Sequence, residues 1–168
     1  MMEAKRVSDS TVIMAQLMNP QDANPAGNVH GGVIMRLIDT AAGAVAVRHA
    51  RSNVVTASID RLDFIRPAFI GDLVTFRASL NYVGRTSMEV GVRVEAENLI
   101  TGDVRHTASA YLTFVALDRN GRPVEVPQLA LETADEIRRN GEARARRELR
   151  INERKKERAH EGAAPVSR

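Results

Sequence analysis

A chain of 168 residues with 43% hydrophobic content is long enough to bury one core, so a single compact domain with an appended tail is expected. There is no cysteine, which excludes disulfides, thiolate metal sites and a cysteine nucleophile. The net charge of +3 is unevenly spread: residues 1–136 carry 13 Lys/Arg against 16 Asp/Glu and residues 137–168 carry 11 against 5, so the basic character belongs to the tail.

The opening segment MMEAKRVSDS lacks the apolar run of a secretory signal. No apolar stretch approaches the roughly 20 residues that span a bilayer, and a cytoplasmic protein without a membrane span is expected. STVIMAQLM (10–18) predicts a first strand. DANPAGNVHGGVIMRLIDTAAGAVAV (22–47) then places one carboxylate, Asp39, in an apolar run that follows a double glycine. The spacing predicts a helix from about Gly32 to Arg48, buried on nearly every side. At about 100° per residue, Arg36, Asp39, Thr40 and Gly43 share one narrow stripe, while Val33, Ile34, Leu37, Ile38, Val45 and Ala46 cover the rest. On pattern alone the stripe is either a solvent side or a seam that another chain or a ligand approaches, with Gly43 opening the space.

NVVTASIDRLDFI (53–65) reads as extended, but its apolar phase moves from Val55, Ala57 and Ile59 to Leu62 and Phe64, which places a bulge near Asp60 or Arg61. From residue 73 the period is two. Val74, Phe76, Ala78, Leu80 and Tyr82 share one face; Met88, Val90, Val92, Val94 and Ala96 repeat the pattern, as do Ala108, Ala110, Leu112 and Phe114. The joins VGRT, LITGD and DRNGRP are short and contain glycine, which suits hairpins. The expected order is strand, buried helix, then four strands in a meander. An apolar helix in that position can hide only against the inner face of a curved antiparallel sheet, an α+β arrangement.

The tail opens with a capping box, Thr133 to Glu136, and Asn140-Gly141 marks a break. Beyond it, EARARRELRINERKKERAH holds few apolar residues, so a solvated or partly disordered charged helix is expected.

GNVHGG supplies flexible backbone leading into a helix N-terminus, where free N–H groups favour an anion or a developing oxyanion. With Asn24 upstream and Asp39 two turns on, an amide, an oxyanion hole at Gly31 and Gly32 and a carboxylate would surround one small volume. The plain alternative is a tight connection with no such role. VGRTSMEV on its own is a hairpin turn with an exposed arginine.

The strings DANPAGNVHGGVIMRLID, VVTASID, DFIRPAFIGDLV, VGRTSMEVGVRVEAEN and YLTFVALDRNGRPVEVPQL, in that order, resemble the hotdog-fold acyl-CoA thioesterases, in particular the branch of bacterial and cytosolic animal acyl-CoA hydrolases. The likeness spans roughly residues 10–130 and leaves the tail outside. It implies a long central helix wrapped by a curved antiparallel sheet, a hotdog thioesterase domain over residues 1–130 and a charged tail over 131–168. It further implies dimers with active sites between subunits, often assembled into hexamers. Asp39 takes the position of the general base or nucleophile, and Asn24 that of the side chain which positions water or the thioester. Gly84, Arg85, Thr86 and Ser87 take the place of the coenzyme A contacts. The implied reaction is hydrolysis of acyl-CoA to free fatty acid and coenzyme A, with Asp39 acting on the carbonyl and the amides at Gly31 and Gly32 receiving the oxyanion. Thr56 and Ser58 sit on the strand expected to neighbour the partner's helix.

No cofactor is expected, coenzyme A entering only as part of the substrate. His30, His49, His106 and His160 have no metal-ligand spacing, and no metal is expected. Two other functions stay in view. A hotdog thioester dehydratase would need a histidine base, for which only His30 qualifies, and it stands at the helix start rather than on the seam. An acyl-CoA-sensing protein with a nucleic-acid-contacting tail is disfavoured, because Glu142, Glu148, Glu153 and Glu157 interleave the tail's arginines and no aromatic residue is available to stack on bases.

Overall fold

The computed structural model describes residues 2–163, with side chains through Arg158; the His160 side chain and the end of the expected tail lie outside the described residues. In chain order the elements are β1 (Lys5–Arg6), β2 (Val12–Leu17), α1 (Gly31–Ala50), β3 (Asn53–Phe64), β4 (Asp72–Val83), β5 (Ser87–Asn98), β6 (Val104–Leu117), β7 (Leu129–Ala130) and α2 (Ala134–Ala163), with short 3-10 turns at Val7–Asp9 and Pro20–Asp22. β1 and β7 form a small parallel pair. The other five strands form one antiparallel sheet in the order β2-β4-β5-β6-β3. The sheet curves around α1, which touches all five strands, and this is the hotdog arrangement.

The expected four-strand meander is corrected. Only β4, β5 and β6 form one, and β3 sits at the far edge against β6. Residues 65–71 carry the chain from that edge back to β4 across the end of the sheet, passing under the start of α1, where the Val29 N–H donates to the Ala68 carbonyl. Flanking the helix from both edges is what lets five strands cover it.

α1 begins where His30 Nδ1 accepts the Gly32 N–H at 2.9 Å, and ends at Arg51, whose left-handed backbone (φ 54°) returns its N–H to Val47. Ile34, Leu37, Ile38, Ala41, Ala42, Val45 and Ala46 are buried against Val74, Phe76, Leu80, Val90, Leu112 and Phe114. Burying each large aliphatic side chain contributes about 1.5–3 kcal/mol, so this contact dominates the core. Burial on nearly every side is also corrected: Met35 and Val47 are exposed, and the stripe of Arg36, Asp39, Thr40 and Gly43 stays at least partly open.

The inward faces of β4, β5 and β6 follow the alternation, with one exception. A bulge at Asn81 gives Leu80 and Tyr82 adjacent partners, Val90 and Glu89, so Tyr82 turns to the outer face instead of the core. β3 carries two bulges rather than one, at Ala57 and Asp60. Its inward residues are therefore Val54, Thr56, Ile59, Leu62 and Phe64, and the expectation that Val55 and Ala57 point inward fails.

The Asn140-Gly141 break is absent: α2 runs unbroken across it, behind the expected capping box, in which Glu136 Oε2 accepts the Thr133 N–H and Thr133 Oγ1 accepts the Glu136 N–H. Nor is α2 merely solvated. It lies on the outer face of the sheet, held mostly by polar contacts. Asn140 Nδ2 donates to the Asn81 carbonyl at 2.8 Å, Arg139 to Ser79 at 3.0 Å, and Arg146 to the buried Glu89 at 2.7 Å while resting on the Tyr111 ring. The apolar count of the tail said little about docking because the receiving surface is itself polar.

His49, near the end of α1, is fully buried, and its Nε2 bonds to the Pro127 carbonyl at 2.7 Å. Burial holds its pKa below the ordinary histidine value, the Pro127 carbonyl opposing this only in part. The unfolded chain therefore takes up this proton first as pH falls. The associated stability is present above about pH 6.5 and is lost below it. Urea midpoints measured between pH 7.5 and 5 should fall with pH, and His49→Gln, which can still donate to Pro127, should flatten that fall.

Candidate active site

Asp39 lies on the open stripe of α1, eight residues in from Gly31 and about 12 Å along the axis. It is half-buried, and Thr56 Oγ1 of β3 donates to its Oδ1 at 2.8 Å. This bond restricts the carboxylate and engages Oδ1, while Oδ2 takes no hydrogen bond from the described residues. β3 is an edge strand whose outer rim pairs with no other strand among the described residues, and Val55, Ile59 and Phe64 on it are exposed. The Thr56 contact went unread in the sequence, where Thr56 was set against a partner's helix. The available signal was a lone hydroxyl at an inward-facing position of an otherwise aliphatic strand start. Ser58, grouped with Thr56 in the sequence, points the other way, and its Oγ donates to Asp60 at 2.6 Å.

Asn24 is held in a tight loop. Its Oδ1 accepts the N–H groups of Ala26 at 2.9 Å and Asn28 at 3.1 Å. Its Nδ2 has no acceptor among the described residues. Of the two glycine amides, Gly32 N–H is taken by the His30 side chain, so the expected pair of oxyanion donors reduces within this chain to Gly31, whose N–H has no acceptor among the described residues. Gly31 faces the Phe64 ring, where a Cβ would sit 3.4 Å from Cζ, an ordinary contact. A cavity of about 290 Å³ opens beside it, lined by Val29, Ile34, Phe64, Arg66 and Thr107 among others. Gly43 likewise meets the Phe114 ring at 3.8 Å, an ordinary contact.

Gly84–Ser87 form the β4–β5 turn, braced by Ser87 carbonyl accepting the Gly84 N–H at 2.8 Å and by Gln128 Nε2 donating to the Gly84 carbonyl at 3.0 Å. The Thr86 carbonyl accepts the Ala116 N–H at 2.9 Å. Arg85 is 81% exposed and stands 3.6 Å from Glu125, an open pair that leaves the guanidinium free for a phosphate.

Strand register separates these residues along the sheet. Thr56 pairs with Phe114, which pairs with Met88 beside Ser87, so the Thr56–Asp39 contact lies toward the end that carries the 84–87 turn, with Asp39 near the middle of α1. Asn24, Gly31 and Phe64 lie toward the other end, where Asn28 bridges Phe69. Within one chain Asp39 is thus about 12 Å along the helix from the Gly31 amide that the expectation sets beside it.

Among the described residues no group of three or more His, Asp or Glu could hold a metal ion, and no helix is long and apolar enough to cross a membrane. His106 bonds to Ser109 and to the Ala108 carbonyl.

A long central helix wrapped by one curved antiparallel sheet defines a protein of the hotdog class. The chain belongs to the thioesterase superfamily, whose pattern it matches over residues 26–102. It is 40% identical over 161 residues to an uncharacterized acyl-CoA thioester hydrolase of Bacillus subtilis, covering 96% of this chain and 91% of that one. Among solved structures, an apo hexameric acyl-CoA thioesterase superposes with a TM-score of 0.88 at 41% identity, covering 90% of this chain and 97% of that one. An acyl-CoA hydrolase from Staphylococcus aureus, solved with butyryl coenzyme A and coenzyme A, superposes with a TM-score of 0.86 at 35% identity, covering 94% and 96%. The same Staphylococcus enzyme was also solved as alanine variants of an asparagine, an aspartate and a threonine, whose order and spacing along that chain equal those of Asn24, Asp39 and Thr56.

The His30 contact gives a test of the dehydratase alternative. Replacing His30 by Ala removes the cap and should lower stability by about 1 kcal/mol, whereas His30→Asn, an equally good cap, should restore both stability and activity. A histidine acting as a base would not be replaced by asparagine, so activity lost in both variants at intact stability would return the dehydratase reading.

Proposed function

We propose that this chain is an acyl-CoA hydrolase that releases free fatty acid and coenzyme A, with Asp39 as the general base or nucleophile. The observation that carries the reading is the Asp39–Thr56 hydrogen bond at the rim of the unpaired β3 edge. It orients a carboxylate toward a crevice that a second chain would close. The Staphylococcus variants support the choice of residues, since an enzyme that binds acyl-CoA was altered at the same three spacings.

The chemistry follows from these parts. Oδ2 of Asp39 either takes a proton from water as it attacks the thioester carbonyl, or attacks that carbon itself to give an acyl–Asp39 anhydride that water then hydrolyses to release the acid and the carboxylate. The carbonyl oxygen gains negative charge and is met by Asn24 Nδ2–H and Gly31 N–H. The C–S bond breaks and coenzyme A leaves as a thiolate, a good enough leaving group to need no strong acid at sulfur. Gly84, Arg85, Thr86 and Ser87 hold the pantetheine and phosphates, with Arg85 on a phosphate. The catalytic unit is residues 1–130, and residues 131–168 are an appendage to it; the protein works in the cytoplasm.

Assembly completes the site. A carbonyl carbon needs groups within about 3 Å, while Asp39 and Gly31 of one chain are about 12 Å apart along the helix. Two copies pairing their β3 edges antiparallel about a two-fold axis bring the Asp39 end of one to the Asn24 end of the other, giving two equal sites per dimer. Such dimers would group into hexamers, as the hexameric thioesterase does.

Asp39→Ala is expected to lower thiol release from acyl-CoA by roughly 10²–10⁴-fold with the assembly intact. Turnover at the wild-type rate would end the assignment. Refolding Asp39→Ala together with Asn24→Ala should restore about a quarter of wild-type activity, because half of the dimers are hybrids and each hybrid has one intact site. A mixture as inactive as its components would place both residues in one chain's site. Arg85→Ala should raise KM more than it lowers kcat, and should leave hydrolysis of an acyl-pantetheine lacking the nucleotide unchanged. An equal loss on the two substrates would remove Arg85 from phosphate binding.

A further inference from the structure

Thr56 and Ser58 are two apart, and in a regular strand they would face the same side. Here Thr56 faces Asp39 on α1 while Ser58 faces outward, because Ala57 is an extra residue: Thr56 pairs with Phe114 and Ser58 with the adjacent Thr113. The reach of Thr56 to Asp39 therefore depends on the Ala57 bulge. β3 is an edge strand, so within one chain its only strand neighbour at the bulge is β6.

What holds it is on the outer face. Asp60, the extra residue of the second bulge, has Ser58 Oγ donating to its Oδ1 at 2.6 Å and Thr113 Oγ1 donating to its Oδ2 at 2.8 Å. Arg150 of α2 forms an ion pair with the same Oδ2. One carboxylate thus ties together the strand between the two bulges, the neighbouring strand and the distal helix. The Asp60 side chain is 11% exposed and that of Arg150 is 17% exposed. Burial by itself would push the Asp60 carboxyl upward. The hydrogen bonds from Ser58, Arg150 and Thr113 outweigh it and hold the group below the usual carboxylate range, so it stays an acceptor for all three donors. The docking of α2 does not hinge on this contact, because Arg139, Asn140 and Arg146 anchor the helix to Ser79, Asn81 and Glu89.

We propose that Arg150 is a positioning residue for hydrolysis: through Asp60 and Ser58 it locks the Ala57 bulge that aims Thr56 at Asp39. The helix beyond the catalytic unit is then part of the site's support. The proposal rests on Asp39 as the reacting group. Without Arg150, Asp60 is a mostly buried carboxylate without its cation; it gains a proton or draws water, its bond to Ser58 weakens, and Thr56 loses its fixed aim.

The test is a double-mutant cycle on the full-length assembly, read as kcat and KM for acyl-CoA hydrolysis. Arg150→Gln should lower kcat about three- to tenfold at unchanged KM, within the range of coupling through such networks. Arg150→Lys, which keeps the cation, should recover most of it. Thr56→Val should lower kcat by itself, and in that background Arg150→Gln should have no further effect. Arg146→Gln, which weakens the helix anchor without touching Asp60, should leave kcat within about twofold. Thr113→Val removes a donor from the same carboxylate without touching α2; it should lower kcat in the same way, and it carries the comparison if Arg150→Gln does not fold. Wild-type kcat in both Arg150→Gln and Thr113→Val, multiplicative losses with Thr56→Val, or an equal loss in Arg146→Gln would overturn the proposal. Full turnover by Asp39→Ala would instead end the hydrolase reading, whatever the cycle shows.

Discussion

α1 has more apolar surface than any one flat layer could cover, and the sheet solves this by curving and by placing β3 on the side away from β4. Four large aliphatic residues of the helix, Ile34, Leu37, Ile38 and Val45, are almost fully buried, each contributing about 1.5–3 kcal/mol. Against that total the orientation of one carboxylate is a small term. The helix rolls to bury its aliphatic faces, and its remaining polar stripe emerges where the cover ends, at the β3 rim. Asp39 keeps contact with water and so escapes the large cost of burying a charge. The single directed hydrogen bond from Thr56 then decides where its oxygen lies. The carboxylate is positioned by hydrophobic packing first and aimed by polar chemistry second.

The two faces of the sheet obey different rules. The inner face is aliphatic and tolerant of volume-conserving change, as cores are. The outer face places Ser79, Asn81, Glu89 and Tyr111 under a helix rich in arginine. Ion pairs of this kind add little net stability over well-packed apolar residues, because desolvation offsets attraction. Their geometry is demanding, though: Glu89 beneath Arg146, with Ser79 and Asn81 beneath Arg139 and Asn140, fixes both the rotation and the longitudinal setting of α2. Gly91 belongs to the same design, since a Cβ there would lie 2.7 Å from Asn81 Nδ2. The outer face specifies a position, where the inner face supplies stability.

Whatever depended on local period was legible in the sequence. The helix, the inward sets of β5 and β6 and the Thr133–Glu136 cap all follow from spacing, since each is decided by neighbours within a few residues. What depended on pairing was not. The place of β3 beside β6 is set by how a sheet encloses a helix, which no local pattern records. The double bulge was half legible: the phase of Leu62 and Phe64 exposed a slip, but two slips three residues apart restore the original parity and hide the first. Tyr82 turned outward for the same kind of reason. The docking of α2 is not visible in the apolar residues of the tail, because Asn81 and Glu89, which receive it, read as ordinary wet-face residues of two strands. At the site, Asp39 and Asn24 were marked by type and spacing, but their separation along the sheet becomes visible only once register is known.

That separation makes the hotdog unit a pair of unlike halves. One end holds an aimed carboxylate and an exposed arginine turn; the other holds an amide loop, a free helix N–H and a largely apolar cavity. Joined head to tail without a two-fold axis, such ends would propagate into an open chain. The proposed two-fold axis at the β3 edge would close the pair instead, because antiparallel pairing of one strand with itself reverses the two ends. It would satisfy the rim and cover Val55 and Ile59 in the same step. In the proposed dimer the hydrogen bonds that remove an aggregation-prone edge would thus be the ones that bring Asp39 and the Asn24–Gly31 donors within reach of one carbonyl, so that assembly and catalysis draw on a single strand.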